Sequence, residues 1–160
     1  MKIQTNREEV LREIKKYFDI EELVCDHMLE RWKDDPERCW DFLDTDFLAV
    51  LLILRRDIIQ MPMYCNNHKR GQHQRGIRCN LCEMVKEKNY SYLSAHVLGK
   101  GADFSIEGVA GVRAMDYQRK KIRLANGFFP VPIRMEAGVS WLHIDVMPTP
   151  NEQKIYEFTA

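Results

Sequence analysis

The 160-residue sequence predicts a single α+β domain in which N-terminal helices pack on an antiparallel sheet. Three observations predict it. Apolar residues recur at helical spacing in the first sixty positions, the last third alternates apolar and polar residues, and turns rich in Pro and Gly separate those alternating segments. We expect residues 1–160 to form one domain, with residues 1–45 as its helical N-terminal part, because one hydrophobic core suffices for a chain of this length.

The first predicted helix covers residues 7–18. Its apolar residues Val10, Ile14 and Phe18 recur at helical spacing, and Asn6 is suited to be the N-cap. Further helices are predicted at residues 20–32, 45–59, 80–88 and 107–126. The helix that contains the sequence FLAVLLIL is apolar on every side, which indicates that it lies buried in the core.

Strands are predicted at residues 131–136, 141–147 and 154–158. In the second of them the apolar residues alternate with Trp141, His143 and Asp145, so these three share one face. The same alternation around Asp103 predicts a strand that directs Asp103 and Ser105 away from the core. Two strands that each expose a ligand are suited to bind a metal on the sheet.

His96, Asp103 and His143 are the candidate metal ligands. If the two strands pair, opposed side chains lie about 4.5–5.5 Å apart at Cβ, close enough for Asp103 and His143 to reach one ion. His96 lies seven residues before Asp103, and Gly99 and Gly101 between them allow the chain to turn back. Two imidazoles and one carboxylate around Zn²⁺ leave a fourth position for water, as in catalytic sites.

These residues belong to two motifs that occur in order, Ser94-x-His96-x-x-Gly99-x-Gly101-x-Asp103 and then Trp141-x-His143-x-Asp145. The motifs resemble those of the zinc peptidase family of D-alanyl-D-alanine carboxypeptidases and phage endolysins, whose fold is shared by the hedgehog signalling domain. The family pattern is SxHxxGxAxD followed by a WxHxD-like strand. Gly101 stands where Ala is usual, and because both residues are small we expect the close packing to survive.

The resemblance implies a hedgehog/DD-peptidase fold, with His96, Asp103 and His143 as ligands of Zn²⁺. It also implies hydrolysis of amide bonds in peptidoglycan stem or cross-link peptides, by a carboxypeptidase or an endopeptidase such as a phage lysin. D-Ala-D-Ala, L-Ala-D-Glu and cross-bridge bonds stay open as targets, because they differ in the shape of the pocket that they need.

A zinc peptidase also needs a carboxylate that takes a proton from water and passes it to the leaving amine. The family places an acidic residue a few positions before the last histidine, and here the nearest is Glu136, seven residues before His143. Asp145 is the competing candidate. We prefer Glu136 as the base and Asp145 as the carboxylate that orients a ligand.

An arginine in a Ser-Gly-Tyr-Arg-like segment stabilises the oxyanion in the relatives that the resemblance suggests. Residues 76–78, with the sequence Gly-Ile-Arg, resemble that segment, so Arg78 is the first candidate and Arg70 the second. Trp141 shares a face with His143 and is a candidate wall of the substrate cleft.

Composition and charge limit where the chain acts. Twenty-four basic residues balance twenty-four acidic ones, which predicts no nucleic-acid partner, and no apolar run is long enough to insert in a membrane. Five cysteines and an N-terminus without an apolar segment predict reduced thiols and synthesis in the cytoplasm. We expect a monomer that meets the cell wall after release or as a component of a virion.

Cys79-x-x-Cys82 suggests a second, structural zinc site, with Cys65 and either His68 or His73, beside the simpler interpretation of ordinary thiols. His27 is interpreted as a partly exposed helical residue. Two alternatives to a peptidase therefore stay open. One is a non-catalytic zinc-containing protein that binds wall peptides or belongs to a phage structure, and the other is an intracellular protein whose Cys/His cluster holds a structural metal and mediates contacts.

Overall fold

The computed structural model describes residues 6–160, apart from the side chain of His68. The α-helices among the described residues are α1 (Arg7–Ile14), α2 (Ile20–Leu23), α3 (Asp26–Arg31), α4 (Thr45–Ile53), α5 (Glu83–Lys86) and α6 (Gly111–Leu124). The strands are β1 (Met63–Tyr64), β2 (Gly101–Ile106), β3 (Ile133–Glu136), β4 (Leu142–Asp145) and β5 (Ile155–Phe158). A π-helical segment, Leu54–Ile59, extends α4, and short 3-10 helices occupy Pro36–Phe42, His68–Arg70, Asn126–Phe128 and Pro150–Glu152.

The predicted α+β class is confirmed, but the sheet is mixed rather than antiparallel. Its strand order is β1-β2-β4-β3-β5, and three of the four neighbouring pairs are antiparallel. The exception is β5, which runs parallel to β3. The chain reverses direction between β3 and β4, and again between β4 and β5. After two reversals β5 runs in the same direction as β3, and it lies on the side of β3 that faces away from β4.

Side-chain caps fix where α1 and α4 begin. Asn6 accepts hydrogen bonds through Oδ1 from the backbone of Glu8 and Glu9, at 3.0 and 3.4 Å, so the predicted N-cap of α1 is confirmed. Asp44 caps α4 in the same way, accepting from the backbone of Asp46 and Phe47 at 2.9 and 3.1 Å. These oxygens satisfy amide groups that have no partner inside a helix.

The prediction of one helix over residues 20–32 is wrong, because the chain breaks between α2 and α3. Val24 at the break is extended, with φ −125° and ψ 160°. Its carbonyl accepts from Asn66 Nδ2 at 3.0 Å, and the carbonyl of Leu23 accepts from the backbone of Ile77 at 2.8 Å. These tertiary hydrogen bonds replace helical ones and bring the start of α3 beside the loop before α5.

One hydrophobic cluster joins the helices to the sheet. Phe47 and Leu51 of α4 are fully buried, as the apolar sequence of that helix predicts, and they share the cluster with Phe104 and Ile144 of the sheet. Phe18 packs edge-to-face on Phe104, with ring centroids 5.9 Å apart. Among the described residues, no helix has both the length and the apolar character needed to cross a bilayer.

Candidate metal centre

Strands β2 and β4 bring Asp103 and His143 together. The two strands are antiparallel neighbours, and Asp103 lies directly opposite His143 in their register. His143 Nδ1 donates a hydrogen bond to Asp103 Oδ1 at 2.7 Å. The alternation in both strands thus places one carboxylate and one imidazole side by side on the same face of the sheet.

His96 reaches the same point from the turn before β2. Its Nδ1 donates to the carbonyl of Gly76 at 2.9 Å, so Nε2 is the nitrogen that faces Asp103 Oδ2, at 3.5 Å. The turn depends on Gly99, whose φ of +66° is in the left-handed region. A Cβ atom there would lie 2.0 Å from the carbonyl oxygen of Phe42, so only glycine fits.

Ligand atoms of His96, Asp103 and His143 all lie within 4.8 Å of one another, so the three residues could hold one metal ion. Both histidines are buried and Asp103 is largely so. Two imidazole nitrogens and a carboxylate oxygen form a donor set that suits zinc, and with three protein ligands one coordination position stays open.

The second ring nitrogen of His143 is held by Asp145. His143 Nε2 donates to Asp145 Oδ2 at 2.8 Å. Asp145 also accepts two bonds from Arg134, at 2.7 and 2.9 Å, and one from the backbone of Met147 at 2.9 Å. A carboxylate has about four acceptor positions, and all of them are occupied here. Asp145 is therefore fixed, and it directs Nδ1 of His143 toward Asp103.

The charges of these groups shift their pKa values in opposite directions. Burial alone would lower the pKa of His143, but hydrogen bonds and charge attraction from Asp103 and Asp145 outweigh it and raise the pKa to about 9. Burial would raise the pKa of Asp103, yet His143 and His96 hold it well below its usual range. With this raised pKa, His143 is protonated at neutral pH and donates to a carboxylate from each ring nitrogen.

Position 101 has no room for a side chain, a restriction that the motif does not indicate. A Cβ atom at this position would lie 2.5 Å from Cβ of Asp145 and 2.9 Å from Cβ of Ala95. The close packing expected at this position is therefore present, and in this chain it depends on the absence of a side chain. Without a side chain, β2 can approach β4 at the place where Asp145 supports His143.

The two candidate arginines occupy different places. Arg78 is buried, its Nη2 lies 3.6 Å from Asp103 Oδ2, and its backbone N–H donates to the carbonyl of His96 at 3.2 Å. Arg70 is exposed, in the 3-10 helix His68–Arg70. Of the two, only Arg78 lies beside the candidate ligands.

A cleft of about 350 Å³ opens on the carboxylate of Asp103. Arg75, Arg78, Ser140 and Trp141 are among its walls, so Trp141 lines the cleft as the sequence suggests. A larger cavity of about 630 Å³ shares Arg78 with it but touches none of the three candidate ligands. The smaller cleft is the one that gives access to the site.

Glu136, the candidate base, lies on β3 and is half-buried. Arg134 pairs with Asp145 and Met135 with Ile144. If the same register continued by one residue, Glu136 would lie opposite His143. Among the described residues, the Glu136 carboxylate makes no hydrogen bond or ion pair, and Asp103 is the only carboxylate that lines the cleft.

The sequence does not reveal Arg134 or the carbonyl of Gly76 as parts of the site. Alternation along β3 places Arg134 on the same face as Glu136, but the pairing of Arg134 with Asp145 depends on the register between strands. The contact of Gly76 with His96 joins residues twenty positions apart, with α5 between them. Neither contact leaves a local pattern.

A second group of metal-binding residues consists of Cys25, His27, Cys79 and Cys82, and we refer to it as the cysteine cluster. The cluster contains the predicted Cys79-x-x-Cys82 but not the predicted partners Cys65 and His73, and the side chain of His68 is outside the described structure. His27, interpreted from the sequence as an ordinary helical residue, is a member. All five cysteines are free thiols.

Comparisons of the chain with protein-family models, with curated proteins and with solved structures find no match. Its function must therefore be inferred from the motifs and from the geometry of these two groups.

Proposed function

We propose that the protein is a zinc-dependent peptidase that hydrolyses amide bonds in peptidoglycan stem or cross-link peptides. The observation that carries the proposal is the convergence of His96, Asp103 and His143 within 4.8 Å beside an open cleft. The substrate class comes from the resemblance of the two motifs to those of wall peptidases.

The donor set favours zinc over magnesium or calcium, because those ions prefer ligand sets made of oxygen. Each imidazole is oriented by a partner on its other nitrogen, His96 by the carbonyl of Gly76 and His143 by Asp145, as is usual around zinc. When bound, zinc would act as a Lewis acid that lowers the pKa of water to about 7 and polarises the carbonyl that is attacked.

Arg78 is our candidate for stabilising the negative charge that develops on the carbonyl oxygen during hydrolysis. Its guanidinium is buried beside Asp103 and lines the cleft, so little water screens its charge. Arg70 is exposed and is not among the residues that line the cleft. Arg78 is therefore the better candidate of the two.

Glu136 is our candidate for the general base, because Asp145 has no acceptor position left. All four acceptor positions of Asp145 are used by Arg134, His143 and the backbone of Met147. Glu136 has no such partner in the described structure and lies one step of register from His143. We propose that it takes a proton from the attacking water and passes it to the leaving amine.

Free thiols suit a protein that is made in a reducing cytoplasm. We therefore propose that a monomer reaches wall peptides after release from the cell that makes it, or as a component of a virion. The site requires no residue from a second subunit, since its three candidate ligands come from one chain.

A specific observation favours a second candidate function, a zinc-containing protein that binds wall peptides without cutting them. Asp103 is the only carboxylate that lines the cleft among the described residues, and Glu136 does not line it. A site without a base at the substrate would keep the metal and the binding surface and lack hydrolysis.

Metal content and release of new amine groups from purified peptidoglycan test the proposal. We expect wild type to release amines, His96→Ala to lose one equivalent of zinc together with activity, and Glu136→Gln to lose activity while keeping the metal. Glu152→Gln, at an exposed position, is the control and should resemble wild type.

Full activity of Glu136→Gln would reject Glu136 as the base. A zinc-loaded wild type that binds wall peptides but releases no amine would establish the binding protein instead. An unchanged zinc content in His96→Ala would reject the metal site itself.

A further inference from the structure

We propose that Cys25, His27, Cys79 and Cys82 bind a second zinc ion, with a structural role, that joins the loop carrying Arg78 to the start of α3. The inference concerns residues outside the candidate peptidase site and does not depend on hydrolysis.

The spacing of the sulfur atoms fits a shared metal. Cys79 Sγ and Cys82 Sγ are 3.9 Å apart, and Cys82 Sγ lies 3.8 Å from His27 Nδ1. Tetrahedral zinc with bonds of about 2.3 Å to sulfur requires sulfur atoms about 3.8 Å apart. A disulfide would need about 2.05 Å. The four ligand atoms all lie within 4.8 Å of one another, which is compact enough for one ion.

The backbone between the two cysteines directs both sulfurs to the same side. The N–H of Cys82 donates to the carbonyl of Cys79 at 3.1 Å, which closes a tight turn. The N–H of Leu81 points at Cys79 Sγ, at 3.3 Å. An N–H directed at sulfur stabilises the negative charge of a thiolate, which is the form that binds zinc.

Tertiary hydrogen bonds bring the other two ligands to this turn. The N–H of Ile77 donates to the carbonyl of Leu23 at 2.8 Å. Two residues beyond this contact in each segment are Cys25 and Cys79, so the backbone contact brings the two cysteines together. Cys25 is the N-cap residue of α3, and His27 follows in the first turn of that helix.

The ligand set identifies the site as structural. Three thiolates and one imidazole complete four-coordinate zinc and leave no open position for water or substrate. Cys25 and Cys82 are buried while His27 is exposed. The ion would therefore be largely enclosed by its ligands and accessible to solvent on the side of His27. A closed site of this kind contributes to folding rather than to catalysis.

The position of the cluster gives the metal a role in the neighbouring site. Arg78 directly precedes Cys79, and the carbonyl of Gly76 holds His96. An ion that joins Cys79 to Cys25 would fix this segment and keep Arg78 beside Asp103. In the proposed peptidase, the cysteine cluster would thus position Arg78 and His96 without touching the substrate.

The test is a count of zinc in variants that each lack one of the two sites. His143→Ala removes a ligand of the candidate peptidase site, and we expect it to keep one zinc per chain. After exchange with cobalt, this variant should show thiolate-to-metal charge-transfer absorption. Cys79→Ser should lose that absorption and one equivalent of zinc relative to its parent protein. Cys39→Ser changes a buried cysteine outside the cluster, and it should keep the absorption and the zinc.

A folded His143→Ala variant without zinc, or a native protein that carries a Cys79–Cys82 disulfide, would overturn the proposal. If Cys79→Ser does not fold, thiol alkylation of the wild type decides. We expect Cys25, Cys79 and Cys82 to become reactive only after a chelator removes the metal, and reactivity that is unaffected by the chelator would reject the site. Because these measurements do not use hydrolysis, an inactive protein would leave them unchanged.

Discussion

Nε2 of His143 and Oδ2 of Asp145 lie 2.8 Å apart, two positions along the same strand. Alternate residues of a strand share a face, so β4 supplies both a candidate ligand and the group that orients it. Arg134 on the neighbouring strand binds Asp145 through two hydrogen bonds and fixes it in turn. The chain Arg134, Asp145, His143 leaves Nδ1 of His143 as the nitrogen available to a metal.

We predict that the zinc affinity of the candidate peptidase site rises with pH up to about 9. The proton on Nδ1 must leave before zinc binds, and the pKa of His143 in the metal-free protein is raised to about 9. Below that pH each unit should weaken binding about tenfold, since one proton competes with one ion. Asp103 adds no further dependence in this range, because its pKa is held low.

Competition with a chelator between pH 6 and pH 10 measures this dependence, starting from protein whose cysteine cluster is already filled. An ordinary histidine, with a pKa of about 6.5, would give constant affinity above about pH 7.5. Such a plateau would contradict the prediction. Asp145→Asn removes one of the two charges that raise the pKa of His143 and should move the plateau toward neutral pH.

Replacing Gly101 with alanine should destabilise the protein by about 1–3 kcal/mol, the usual cost of forcing an extra carbon into a packed site. The added Cβ would lie 2.5 Å from Cβ of Asp145, so β2 and β4 must separate where they support His143. Urea unfolding of Gly101→Ala measures the effect. Gly127→Ala is the matched control, because a Cβ at Gly127 meets nothing within 4 Å. Equal stability of the two variants would show that the close approach is not needed.

Arg134→Met should lower the free energy of unfolding by about 2–3 kcal/mol, because it leaves the fully buried carboxylate of Asp145 without two of its donors. We also expect zinc binding at the candidate peptidase site to weaken by about 10–100-fold, as for other residues that support a metal-binding histidine. Arg123→Met removes an ion pair between the exposed Arg123 and the half-buried Glu157, and its effect on stability should be below about 1 kcal/mol.

Chemical denaturation and a zinc titration of both variants supply these values. If Arg134→Met behaved like Arg123→Met in both measurements, the hydrogen bonds from Arg134 to Asp145 would contribute neither to stability nor to zinc binding.

Asp44→Ala should cost about 1 kcal/mol of stability, because it removes the oxygen that caps α4. Asp44 accepts from the backbone of Asp46 and Phe47, and Phe47 belongs to the buried core. Thermal and urea unfolding test the loss. Asp41→Ala, at an exposed position nearby, is the control and should unfold like wild type. A loss of the same size at Asp41 would assign the effect to charge rather than to the cap.

The sequence predicts much of the secondary structure because its signals are local. The side chain of Asn6 reaches amides two and three residues away, and the alternation in β4 is complete within four residues. Local periodicity does not detect the break at Val24, because the groups that replace its helical hydrogen bonds come from Asn66 and Ile77. The predicted helix over residues 20–32 fails for that reason.

The residues of the candidate metal centre also fall into two groups, those that local patterns predict and those that they do not. His96, Asp103 and His143 can be selected from the sequence because short motifs and alternation single them out. Arg134 and Gly76 cannot, because their contacts depend on strand register and on a loop. Cys25 and His27 are also missed as partners of Cys79, because more than fifty residues separate them in the chain.

The sequence by itself determined the α+β class, the starts of α1 and α4, the strands that carry Asp103 and His143, and the residue types that suit a metal, because each is encoded by neighbours along the chain. Only the tertiary structure decided that β5 runs parallel to β3, that Gly101 admits no side chain, and that Cys25 and His27 meet Cys79 and Cys82. The reason is that register, close approach and clustering arise between segments distant in sequence, where packing and hydrogen bonding select one arrangement among many that local patterns allow.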